Sequence, residues 1–372
     1  EMVPQIMDDV PRTENRIVSG TVFEKKAPGQ TAPHTINKLG SMDSWSLPDT
    51  PMTFLNGGER TTGSAFGLRV EPLWRRLKEN PDPSQLFSSA VHGDPATMML
   101  NAYVGDPIVV RSLQHSANDM NTLHIDGHWF PFERFSKDSR PRNAVHMGIA
   151  ERYDIAIPAA GGPQQRAGDY LFYNGRASKI GEGSWGLIRV LDTPQSDLLP
   201  LPGHERFTYA TGPICPASAP VKRFSVAAIA QPLDMHQKYN GSVIKTGGTN
   251  RDLILENKDG KIFVLEEEVS DVTSGKKQPH PLTLHVNTGD CIQVNLKNAL
   301  TKDRVSFHPD LLAFDPQDSY GVNAGKNMAD QTVAPGHSRL YTFYAHPEYR
   351  EATALIRDWG NPTSGPRNGL YG

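Results

Sequence analysis

The sequence predicts an all-β protein made of two tandem β-sandwiches of Greek-key type. Three observations predict it. Glycine (33) and proline (30) make up about a sixth of the 372 residues, and they are scattered between short apolar runs, as turns are between strands. Those runs alternate or stay apolar over strand-sized stretches. The chain also repeats itself. Gly105-Asp106 recurs as Gly289-Asp290 and His124-Ile125-Asp126 as His308-Pro309-Asp310, both at a spacing of 184 positions.

In chain order, 26–62 is turn-rich and reads as a long surface excursion. Residues 71–80 form the one convincing short helix, with Leu73, Trp74 and Leu77 at helical spacing. The run from Met98 to Leu113 breaks at Gly105-Asp106 and reads as strand, turn, strand. Further strands are expected at 152–159, 169–175 and 185–192. The stretch 196–221 is Pro-rich and aperiodic, so it reads as a linker. Strands follow at 224–233, at 282–298 broken by Gly289-Asp290, and at 339–346. Alignment of the copies places 166–174 on 350–358 and Trp185-Gly186 on Tyr371-Gly372. The expected division is therefore a first unit over 1–195 with an N-terminal extension and insertions, a linker over 196–221, and a second unit over 222–372. The second unit lacks the closing strand that follows Trp185-Gly186 in the first. The edge near Tyr371 should then be covered by another segment or chain. The chain begins at Glu1 without an initiator methionine, which reads as a processed or truncated product.

The net charge is −3, from 38 Lys+Arg and 41 Asp+Glu, so nothing in bulk draws the chain to nucleic acid or to an anionic membrane. Arg75-Arg76 and Lys276-Lys277 read as solvated faces. No apolar run reaches the roughly 18 residues of a membrane helix. Cys215 and Cys291 allow one disulfide in an oxidising compartment, or two free buried thiols.

Positions i and i+2 of a strand share a face. His124 can thus converge with Asp126, joined by His128 if Gly127 does not bulge the strand, and His308 can converge with Asp310. Imidazole with carboxylate suits Zn²⁺, Mn²⁺ or Fe²⁺, and makes a harder site than an all-His copper cluster. One unit supplies at most three ligands, so a stable site needs both units or another chain. The competing reading is a self-satisfied polar pair on each strand. His146 and His346 are expected to pack, and His115 to be a surface loop residue. Asp315, Asp318 and Asp330 read as solvated turn carboxylates in preference to a Ca²⁺ loop. Trp129, Phe130, Phe132, Phe135 and Trp359 read as packing residues.

The stretches around Gly105-Asp106, 123–130 and 168–190 resemble the last domain of multicopper oxidases. Those around Gly289-Asp290, 305–321, 331–345 and 365–372 resemble another cupredoxin domain of the same superfamily, in the manner of its large bacterial, manganese-oxidising members. The resemblance covers most of 86–195 and 222–372, and implies tandem cupredoxin-like sandwiches in an extracytoplasmic protein. It also implies copper, but the ligand positions have changed. The thiolate position of a type 1 copper falls on Asn174, flanked by Tyr173 and Gly175. The later His and Met positions fall on Lys179 and Ser184, and the family's His-x-His pairs have become His-x-Asp. No type 1 copper is expected. The implied function is a non-catalytic scaffold or assembly segment of a multicopper-oxidase-like protein. The alternatives are a segment of a copper-dependent oxidoreductase, acting on metals or phenols, completed by other segments or chains, and a non-type-1 metal-binding module.

Overall fold

In a computed structural model the described residues are 71–372, apart from 98, 115–119, 137, 197, 204–210, 235–244, 247–248, 251–255 and 328–329. The excursion at 26–62 and His115 lie outside them.

The first unit holds seven principal strands: β1 (Leu100–Tyr103), β2 (Ile108–Leu113), β3 (Asn121–Ile125), β4 (Ala144–Met147), β5 (Arg152–Ile157), β6 (Gly168–Asn174) and β7 (Trp185–Leu191). One sheet has the order β1-β7-β6-β3-β4. Its β1 runs parallel to β7, and its other neighbours are antiparallel. β2 and β5 form a second, antiparallel sheet, which turns Ile155 and Ile157 into the same core as Leu123, Ile125 and Leu171. The apolar run of β6 is buried almost throughout, which explains why it carries no polar alternation.

The second unit holds β8 (Val221–Ala230), β9 (Lys261–Leu265), β10 (Cys291–Asn298), β11 (His308–Pro309), β12 (Ala313–Phe314), β13 (Ser338–Tyr344) and β14 (Ile356–Arg357). Its main sheet has the order β9-β8-β10-β13-β12, with β8 parallel to β10. β11 pairs with β14. The fold is all-β, and helix is confined to short pieces.

The repeat persists in the backbone register. His124 pairs with Tyr173, and His308 pairs with Arg357. Asp106 Oδ2 accepts the amide of Tyr103, and Asp290 Oδ2 accepts that of Asn287. These carboxylates close the turns in which Gly105 and Gly289 take positive φ. Trp185 pairs with Tyr173, and Tyr371 bridges Arg357 in the same way.

Five sequence expectations need correction or completion. Residues 282–287 form no strand. In the first unit the matching segment β1 is held by β7, whereas 282–287 has Gly372 packed against Leu282 and joins no sheet among the described residues. The predicted helix runs over Leu73–Glu79, but Trp74 is exposed. Its buried face is Leu73 and Arg76. Arg76 is therefore no solvated charge: it pairs with Glu71 at 2.8 Å, donates to the carbonyl of Leu86, and lies 4.8 Å from the Trp185 ring centroid. Burying this guanidinium is tolerable because it is paired and hydrogen-bonded. Among the aromatics, Phe130 enters the core, whereas Phe132 and Phe135 face solvent. Cys215 and Cys291 are joined by a disulfide, which ties the segment before β8 to the first residue of β10.

The two units share one apolar core, whose buried members run from Leu73 to Leu370. Phe87 sits edge-on to both Trp185 of the first unit and Trp359 of the second, at 4.9 and 5.5 Å. A polar contact also crosses the junction. Arg189 bonds both Asp94 and Asp169, and Asp169 Oδ2 accepts the amide of Lys326.

Candidate functional site

The two His-x-Asp strands meet at the junction of the units. β3 carries His124 into the core and ends at Ile125; Asp126 follows, and Gly127 takes φ +67°. β11 does the same with His308 and Asp310, and Leu311, at the position matching Gly127, takes φ +61°. A leucine in the left-handed region costs about 1–2 kcal/mol. The second unit keeps the same turn without the residue that favours it, which leaves its carboxylate aimed like that of the first.

All four side chains are buried. His124 Nε2 lies 3.6 Å from Asp126 Oδ1 and 3.5 Å from Asp310 Oδ1. His308 Nε2 lies 3.8 Å from Asp126 Oδ2 and 3.9 Å from Asp310 Oδ1. Two of the four contacts, His124–Asp310 and His308–Asp126, cross between the units, so the pairs are not self-contained.

His128 stays apart. The positive φ at Gly127 ends the strand and sends the imidazole the other way. There its Nδ1 donates to the carbonyl of Asp126 at 2.8 Å, and its Nε2 accepts the amide of Gly161 at 2.9 Å. Burial pushes its pKa down to about 4. It is a neutral ring with both nitrogens engaged, which removes it from the set of ligands read in the sequence.

Around the four lies a polar shell that the sequence did not single out. Tyr173 and Tyr320 each donate a hydroxyl to Asp126, at 3.2 and 2.9 Å. The Tyr320 hydroxyl also accepts the amide of Leu171, across the junction. Tyr320's carbonyl lies 2.8 Å from His308 Nδ1 and fixes that ring. Arg357 donates to Asp310 Oδ2 at 3.1 Å and stands 3.4 Å from His124 Nδ1. Asn143 Nδ2 lies 2.8 Å from His124 Nε2. Tyr173 stacks on His124, with ring centroids 4.8 Å apart and planes at 9°. Burial alone would raise the pKa of Asp310, but His124, Arg357 and His308 outweigh it and hold the carboxyl well below the usual range. Burial pushes the hydroxyls of Tyr173 and Tyr320 well above theirs, so both stay protonated donors. One signal could have found part of this shell. Tyr173 and Arg357 also stand 184 positions apart, inside the segments already aligned.

The position that the resemblance assigns to a copper thiolate holds a different kind of bonding. Asn174 is buried. Its Nδ2 donates to Asn121 Oδ1, whose own amide donates to Gln114 Oε1 at 2.7 Å. Its Oδ1 accepts the amides of Thr122 and Arg176. Asp358, at the matching place of the second unit, accepts the amides of Ser306 and Gly360 in the same pattern. Lys179 is buried and pairs with Glu182 at 3.5 Å. An amide and an ammonium group do not fit copper, which needs a thiolate and free imidazoles. Nor do two imidazoles with two carboxylates fit a three-copper cluster of histidines.

The remaining candidates are satisfied locally. Exposed His146 bonds Thr122 Oγ1 at 3.0 Å, and His346 caps a short 3₁₀ turn. Asp315 accepts the amide of Gln317, Asp318 pairs with Arg339, and Asp330 binds Asn323, Thr332 and Arg304.

No protein-family model matches the sequence, and no curated protein matches it. Among solved structures the chain is similar to Lac15 from a marine microbial metagenome, at 11% identity over 70% of this chain and 53% of that one, with a TM-score of 0.22. It is similar to a laccase from Botrytis aclada at 12% identity, over 74% of this chain and 52% of the laccase, TM-score 0.22. It is similar to the copper nitrite reductase of Nitrosomonas europaea at 13% identity, over 73% and 83%, TM-score 0.23. The chain spans about half the length of Lac15 and of the Botrytis aclada laccase. At these distances the β-sandwich class rests on the chain's own strands and repeated register.

Proposed function

We propose that the chain is a cupredoxin-like segment of a multicopper-oxidase-like protein that works as a rigid structural module and does not pass electrons through a type 1 copper. The observation that carries this reading is Asn174, buried and bonded to Asn121 where the resemblance places the thiolate. Filling that place with a hydrogen-bonded amide supports a strand position kept for its fold. The Cys215–Cys291 bridge supports an oxidising, extracytoplasmic setting. The stretch at 282–287, which joins no sheet among the described residues, supports a segment or chain that adds a strand near Tyr371. The test is to supply copper during expression and refolding, then record the absorbance of the blue-copper band and the turnover of phenolic and Mn²⁺ substrates. The expected result is no blue band and no turnover. A blue band with turnover would instead support the oxidoreductase alternative.

A further inference from the structure

We propose that the junction between the two units is a mononuclear site for a divalent cation of the zinc class, with His124, Asp126, His308 and Asp310 as ligands. The first argument is spacing. Ligands bonded tetrahedrally at about 2.0–2.2 Å stand roughly 3.3–3.6 Å from one another. The four imidazole–carboxylate separations are 3.5, 3.6, 3.8 and 3.9 Å. These lie beyond a hydrogen bond and close to that edge length. His124, Asp126 and Asp310 each bring a ligand atom within 4.8 Å of the others, and His308 stands at the edge of that group, facing the second oxygen of Asp126 and Asp310 Oδ1.

The second argument is independent of spacing. Asp310 Oδ1 is buried without a hydrogen-bond partner, yet it faces both imidazoles. Leaving a buried charged acceptor unsatisfied is costly, and a cation at the centre of the four removes the deficit. The turn at Leu311 keeps Asp310 in place against that residue's backbone preference.

The third argument is the outer shell. His308 Nδ1 is held by the carbonyl of Tyr320, which leaves Nε2 for a cation. Arg357 holds the far oxygen of Asp310, and Tyr173 and Tyr320 hold Asp126. Ligand-orienting contacts of this kind are the usual support of a metal site. A cation on His124 Nε2 displaces the Asn143 amide that donates to that nitrogen, while the ring proton stays on Nδ1, which faces Arg357 at 3.4 Å. The cation must therefore outcompete Asn143. Two nitrogens and two carboxylate oxygens make a set that suits Zn²⁺ or Mn²⁺ better than Cu⁺.

The site is closed to solvent, so the metal enters as the chain folds. The test is expression in medium supplemented with Zn²⁺, exchange into EDTA, and elemental analysis of the folded monomer. The same is done for Asp310→Asn, His308→Gln and, as a control, His146→Ala. The expected result is about one zinc per chain in the parent and in the control, and a loss of at least tenfold in the two site variants. Circular dichroism of each variant separates lost binding from lost folding, and Asp310→Asn keeps the shape of the side chain. A folded parent with no zinc, or zinc retained in both site variants, overturns the proposal. Neither result bears on the blue-copper test, so the two proposals can fail separately.

Discussion

Tyr320 bonds both units with one hydroxyl, donating to Asp126 and accepting from Leu171. Tyr320→Phe leaves a buried amide and a buried carboxylate oxygen without their partner. Each such loss costs about 1–3 kcal/mol, so a drop of several kcal/mol in chemical-denaturation stability is expected, with circular dichroism of the native state unchanged. Asp358 makes a second residue-level prediction. Burial raises its pKa to about 6, and the amides of Ser306, Gly360 and Asn361 bring it only partly back. A carboxyl raised in the folded state is more protonated there than in the unfolded chain. Its contribution is therefore greatest at or below the unfolded value near 4 and is lost as pH rises toward 6, by up to about 3 kcal/mol. Asp358→Asn should lose that slope, read as the difference between parent and variant in urea melts from pH 4 to 7. At this scale the sequence showed the four convergent His and Asp residues through the strand period of two. It could not show Tyr320 or Asn143, because they reach the cluster from other segments at spacings no local pattern contains. His128 was misplaced because the outcome turned on one dihedral, that of Gly127.

At the scale of elements, the strands were legible wherever apolar alternation met a partner. The stretch at 282–287 was read as a strand like β1 but joins no sheet among the described residues, and strand propensity alone does not close a ladder. The Arg76 helix shows the reverse case: helical spacing was right, while the face was set by Glu71 just before the helix and by Trp185, distant in sequence. The loop carrying Gly325 docks on β6. Gly325 has φ +56°, and a Cβ there would overlap the Asp169 carboxylate. Gly325→Ala should therefore cost about 2–4 kcal/mol, within the range of severe single substitutions, in thermal melts. The Cys215–Cys291 bridge closes a separation of 76 residues. Replacing both by serine should lower stability by about 4 kcal/mol on the loop-entropy account, and a reducing agent should lower the parent to the same level.

Across the whole molecule, the repeat is the feature from which most else follows. Spacings of 184 positions predicted that the two His-x-Asp strands would be equivalent, and the shared register and side-chain bonds of Asn174 and Asp358 carry that equivalence into the backbone. What the sequence could not supply was how the copies meet, since the shared core, Phe87 between two tryptophans, and the Arg189 network are contacts between distant segments. The central claim is that these contacts make the two units one structural body. Calorimetric unfolding of the intact, disulfide-bonded chain tests this most directly. The account predicts a single transition whose calorimetric and van't Hoff enthalpies agree, with both units melting earlier together in Tyr320→Phe. Two separable transitions, one for each unit and only one of them moved by that substitution, would contradict it.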